Sequence, residues 1–152
     1  MEGCAGEPSR QGPAARRPAE LGGGKNVTVK LAAISVDCGD ALTVGRFWSA
    51  ALNRPLDPDP SSGFAAIGMA GHRDTEGWRP GGDPTWLFSR VPERKTAKNR
   101  MHVDLAAADR EAEVARLVEL GATRVADMEE WGYAWTVLHD PEGNEFCIAQ
   151  ER

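Results

Sequence analysis

The chain has only three cysteines in 152 residues, Cys4, Cys38 and Cys147, and no CxxC spacing. That scarcity, with no paired spacing, argues against a disulfide framework and fits free thiols in a reducing, cytoplasmic setting. Long apolar runs are missing as well. Nothing approaches the roughly 18 residues that a membrane-spanning helix needs, so no membrane partner is expected. A basic excess is also lacking: 18 Lys+Arg stand against 23 Asp+Glu, a formal net charge of −5. A broad nucleic-acid surface, which would be positive, is therefore not expected. The first residues are not followed by an apolar core and do not read as a secretory signal.

What is present begins with residues 1–28, rich in Gly, Pro, Ala and Arg and closing near Gly22-Gly23-Gly24. This composition predicts a disordered tail. The remaining 29–152 has ordinary apolar content, enough for one domain or a tight pair of small modules.

Within that stretch the chain repeats a pattern. From Ala33, Ile34, Val36 and Cys38 fall on one face, with Ala33, Ser35 and Asp37 on the other; this alternation predicts a strand. Asp40 suits a helix N-cap, and Leu42, Val44, Phe47, Trp48, Ala51 and Leu52 then recur at helical spacing. The second copy alternates Met101, Val103 and Leu105 with His102 and Asp104. Asp109 caps its helix, whose buried positions are expected to be Val114, Leu117, Val118 and Leu120, with Gly121 at C′. Residue 33 lies 69 positions before residue 102. That period predicts two related modules, about 29–91 and 100–150, each with an apolar face it cannot bury alone. Further strands are predicted over 63–69, 85–91, 123–128, 133–139 and 144–149. Residues 54–62, with three prolines, read as irregular chain or an edge strand. Residues 72–84 read as a Gly/Pro loop carrying His72 and Trp78, and 92–100 as a polar, mostly basic crossover. Asp140-Pro141-Glu142-Gly143-Asn144 has the composition of a tight turn.

Two half-sheets closing on each other leave a concavity, and period-two alternation aims particular side chains into it. These are Ser35, Asp37, His102, Asp104, Glu145 and Cys147. A histidine near carboxylates suits general acid or base work; the alternative is a hydrogen-bonded pocket wall. Cys147 reads as a small buried hydrophobe or, alternatively, a nucleophile. Trp48 belongs to the core. Trp78, Trp86, Trp131 and Trp135 lie where a flat ligand could stack, with core or interface packing as the alternative. His139 reads as structural or exposed. Arg90, Arg94, Lys95, Lys98 and Arg100 form a solvated linker or an attractor for an anion.

Four segments carry a family resemblance: Ile34-Ser-Val-Asp37 with Phe47-Trp48; Leu87 to Glu93 with Lys98-Asn-Arg-Met-His-Val-Asp104; Asp109 to Ala122; and Trp135 to Cys147. Together they resemble the vicinal oxygen chelate superfamily (glyoxalase, bleomycin-resistance and extradiol dioxygenase proteins). The chain is most similar to the glyoxalase-like branch common in high-GC, actinobacterial genomes. The resemblance implies an α+β fold of two tandem βαβββ modules forming one cupped mixed sheet, with helices on the outer face. It implies a small organic ligand in the cup and a homodimer. It also implies metal-ligand positions, which fall here on Ala33, on the 85–90 strand, on His102 and on Cys147, where the family usually has Glu. Only His102 matches; Glu145 sits two residues early. No third ligand is evident, so no cofactor is expected, and a divalent metal only as the less favoured case. The expected function is non-catalytic binding of a small organic molecule. The alternative is a lyase, isomerase or ring-cleaving enzyme using His102 as acid, base or metal ligand. A module that uses the fold only to dimerise is a third, weaker reading.

Overall fold

The computed structural model describes residues 31–70, 73–74, 77–78 and 83–151. The expected tail and His72 lie outside the described residues. The first module runs β1 (Ala33–Cys38), α1 (Ala41–Ala51), β2 (Phe64–Ile67), β3 (Arg73–Asp74), β4 (Gly77–Trp78) and β5 (Thr85–Arg90). The second runs β6 (Val103–Ala107), α2 (Arg110–Glu119), β7 (Thr123–Glu130), β8 (Tyr133–His139) and β9 (Glu145–Gln150).

The repeat carries into three dimensions. In each module the first strand pairs in parallel with the last: Ala33 stands opposite Thr85, and Val103 opposite Phe146. A parallel pair needs a crossover connection, and each module supplies it with its helix and the strands that follow. Three strands form one sheet in the order β1-β5-β2, and four form another in the order β6-β9-β8-β7. The α+β architecture of two modules, each a mixed sheet with one helix, is as expected, and the cup expected as one sheet is laddered as two. The second module holds the full βαβββ pattern. In the first, residues 54–62 are irregular, because Pro55, Pro58 and Pro60 have no amide hydrogen to give a ladder. The segment still lies along β2, where the Asp57 amide donates to the Ala66 carbonyl at 2.8 Å. The small β3–β4 hairpin falls inside the stretch read as loop.

The helix ends follow local chemistry. Asp40 accepts from the Thr43 amide at 2.7 Å and Asp109 from the Ala112 amide at 3.0 Å, each satisfying a donor that the first turn leaves free. The C-terminus of α2 closes with Ala122 donating to Leu117 and Gly121 to Val118. This is the double bond of a Schellman motif, and the Gly121 φ of +112° needs a residue without Cβ.

Both modules share one core. Val44, Phe47 and Trp48 of α1 and Val114 and Leu117 of α2 pack with Phe88, Leu138, Phe146 and Ile148. Two expected core positions are corrected: Val118 is 43% exposed and Leu120 37% exposed. The apolar stripe of α2 narrows to Val114 and Leu117; Val118 lies at its margin and Leu120 is the C-cap.

Polar latches fix one module to the other. The Glu142 carboxylate, in the β8–β9 turn, accepts from the Gly39 amide at 2.6 Å and the Asp40 amide at 2.7 Å, an anion at the positive N-terminus of α1. Arg116 of α2 donates to the carbonyls of Ala50 and Ala51 at 3.0 and 2.8 Å, a cation at the negative end of the same helix.

Candidate functional site

Two cavities adjoin along the line between the modules. The first, about 500 Å³, is bounded by Ser35 and Asp37 of β1, the indoles of Trp48 and Trp86, and the crossover from Val91 to Asn99. The second, about 470 Å³, lies over the second sheet and is bounded by Lys98, Asp104, Met128, Trp135 and Cys147. His102 and Glu145 line both. The cavity side chains expected from the alternation are thus spread over adjoining hollows, with Ser35 and Asp37 in the first and Asp104 and Cys147 in the second.

The tryptophans divide by strand face. Trp86 is 3% exposed and stacks on Trp48, with ring centres 4.5 Å apart and planes at 27°. It stands opposite Ile34, whose side chain packs against the core, so it reaches the first cavity from the core side. Trp135 is half-buried and faces the second cavity beside Met128, its cross-strand partner. Trp131 is exposed on the β7–β8 turn, and the Trp78 side chain lies outside the described residues. His139 stands opposite Glu145, half-buried.

Glu145 ties the crossover down. Its carboxylate accepts from the Asn99 amide and pairs with the Lys95 ammonium, both at 3.0 Å. Burial opposes ionisation, but these two donors outweigh it and hold the carboxyl at about 2, against an ordinary 4.5. Because the folded value lies below the ordinary one, the tether contributes fully above about 4.5 and fades as the pH falls towards 2. At neutral pH, Glu145→Gln is therefore expected to speed hydrogen exchange at the Asn99 amide about tenfold, the equivalent of one charged hydrogen bond. Unchanged exchange would show that the crossover is held by other contacts.

His102, Asp104 and Cys147 form the polar corner of the second cavity. The ladder between β6 and β9 sets Asp104 directly opposite Cys147. His102 Nδ1 lies 3.1 Å from an Asp104 oxygen and 3.9 Å from the Cys147 sulfur. The three donor atoms all fall within 4.8 Å of one another. Burial and the neighbouring Asp104 push the Cys147 thiol up to about 11, which disfavours a free thiolate nucleophile at neutral pH. Burial likewise pushes Cys38 to about 11, and its thiol donates to the Ser89 carbonyl.

The family's metal positions are only partly filled here. In the first module, Ala33 offers no donor, and β5 contributes Thr85, Trp86, Leu87, Phe88, Ser89 and Arg90, without His, Cys or carboxylate. The second module supplies what the sequence reading lacked: Asp104 is a third donor beside His102 and Cys147. Imidazole, carboxylate and sulfur in one cluster fit a divalent cation.

The family model described as a glyoxalase-like domain matches residues 33–149. The chain belongs to that family. This glyoxalase-like domain has the fold of the glyoxalase/bleomycin-resistance/dioxygenase superfamily, as three solved structures illustrate. A family enzyme from Burkholderia phytofirmans PsJN superposes with a TM-score of 0.59 at 18% identity, covering 80% of this chain and 98% of that one. The fosfomycin resistance protein FosX from Listeria monocytogenes gives 0.60 at 10%, covering 82% and 95%. Lactoylglutathione lyase from Agrobacterium tumefaciens gives 0.54 at 11%, covering 81% and 94%. At such identities the likeness concerns the fold. No curated protein matches the chain. Among the described residues, no helix is long and apolar enough to cross a membrane.

Proposed function

We propose that this glyoxalase-like domain binds a small organic molecule across the two adjoining cavities. The observation that carries the reading is the shared wall: His102 and Glu145 border both hollows. Around it lie the edges of Trp48 and Trp86, the half-buried Trp135, and polar groups from β1, the crossover and the β8–β9 turn. Concave sites that pair aromatic walls with convergent polar groups are the usual form of a ligand site. A flat or carbonyl-bearing ligand would lie against Trp135, with its polar end at His102, Asp104 or the Ser35 and Asp37 side. The protein is read as a homodimer, supported by the exposed apolar residues Met101, Trp131 and Tyr133 and by β1 and β6 at the edges of their sheets. Two buried free thiols suit a cytoplasmic setting.

A thermal-shift screen of metabolites and antibiotics tests this directly. A ligand that binds only the native state at 100 times its Kd stabilises it by about 2.7 kcal/mol, a readily measured shift. Hits should quench tryptophan fluorescence, and Trp135→Ala should weaken them. Hits whose affinity is untouched by both Trp135→Ala and His102→Ala would sink the assignment.

A second reading is an enzyme of lyase, isomerase or ring-cleaving type. It is favoured by the 3.1 Å contact between His102 and Asp104, which orients the imidazole for proton transfer. A cation held by His102, Asp104 and Cys147 would supply Lewis-acid polarisation of a ligand oxygen. His102→Ala separates the readings: an enzyme loses turnover while binding survives, whereas a binder has no turnover to lose.

A further inference from the structure

We infer that the second module by itself holds a zinc-type divalent cation through His102 Nδ1, one Asp104 carboxylate oxygen and the Cys147 sulfur. Zinc bonds of about 2.0–2.3 Å in a tetrahedron set neighbouring donor atoms roughly 3.3–3.7 Å apart. The imidazole-to-carboxylate spacing of 3.1 Å and the imidazole-to-sulfur spacing of 3.9 Å bracket that range. All three donors lie inside 4.8 Å of one another; the widest spacing must close by up to about an ångström, a movement open to the exposed Asp104 carboxylate. The scaffold is a parallel ladder that pins Asp104 opposite Cys147, so two of the donors come from adjacent regular strands, a stiffer base than loops.

Donor chemistry then selects the metal. A thiolate beside an imidazole favours zinc or cobalt over magnesium or manganese, which prefer all-oxygen shells. Three protein ligands leave one position free, the arrangement of a reactive rather than a closed structural site. The cluster borders the cavity shared by Trp135 and Lys98, so an exchangeable water or ligand oxygen can enter there. The inference departs from the family pattern in two ways: among the described residues the first module contributes no donor, and sulfur replaces a carboxylate at position 147. It does not depend on the organic-ligand proposal, and metal binding is read separately from ligand shifts.

The test uses the full chain, purified without a histidine tag and stripped with a chelator. Titration with Co²⁺ should reach one equivalent per chain and develop a thiolate-to-cobalt charge-transfer band, which Zn²⁺ then abolishes by displacement. Mg²⁺ and Mn²⁺ should not compete. Cys147→Ser should lose the band and bind Zn²⁺ at least about tenfold more weakly, since even outer partners of a metal site are worth that much. Asp104→Asn, a change at an exposed side chain, should weaken Zn²⁺ while keeping the band. Cys4→Ser should leave both unchanged. The inference is overturned if Co²⁺ gives no sulfur band. It also fails if the band persists in Cys147→Ser, or if Asp104→Asn binds Zn²⁺ as tightly as wild type.

Discussion

Phe146→Ala is expected to cost about 3–5 kcal/mol of folding stability, the range for deleting a fully buried aromatic side chain. Phe146 is fully buried. Its ring meets Phe47 at 5.9 Å and Trp48 at 5.1 Å between centres, so one side chain of the second module packs on two of the first. Removing it takes away apolar burial and leaves a void walled by aromatic rings, which cannot collapse without moving α1. The effect should exceed that of an ordinary core truncation within one module, because the shared core is what closes the modules on each other. It should also reach the site: Phe146 stands between Glu145 and Cys147, which face the cavities from the opposite side of β9. Chemical denaturation of wild type and variant measures the loss. A change below about 1 kcal/mol would mean that the modules are joined mainly by their polar latches.

Much of this architecture could be read from local chemistry. Asp40 and Asp109 announce their helices because capping is a short-range event, and both accept the bonds their spacing implied. The 69-residue offset survives because α1 starts at Ala41 and α2 at Arg110. The turn at Asp140–Asn144 forms as read, with Gly143 at a φ of +89°. What escaped depends on distant pairing. Asp104 was legible as a cavity residue, but its place in a three-donor cluster follows from the register between β6 and β9, which no local pattern encodes. Glu145 was legible as a cavity residue, but its tether to Asn99 and Lys95 forms only once the crossover folds back. Trp86 alternates onto the core face of β5, a fact visible only when Ile34 is seen opposite it. Val118 is apolar and well spaced, yet the narrow contact of α2 leaves it at the margin.

Asp140→Ala should destabilise the protein by about 3 kcal/mol or more, because buried donors left without an acceptor cost about 1–3 kcal/mol each. Asp140 is 3% exposed and serves both its own turn and the first module. One carboxylate oxygen accepts from the amides of Glu142 and Asn144 at 3.0 and 2.9 Å. The other accepts from the Trp48 indole at 3.3 Å, and the Asn144 side chain donates to both oxygens. Alanine strands the indole and the turn amides together. The consequences then travel in two directions. The turn loosens, so Glu142 no longer presents its carboxylate squarely to the Gly39 and Asp40 amides. Trp48 loses its polar anchor and shifts at the floor of the first cavity. Asp140→Asn keeps one acceptor oxygen and should lose about half as much stability. If the carboxylate works as this bridge, the alanine variant should also change the near-ultraviolet circular dichroism contributed by Trp48, and the asparagine variant should change it less. Two variants as stable as wild type, with unaltered spectra, would refute the bridge and leave the Glu142 latch and the aromatic contacts to join the modules at this turn.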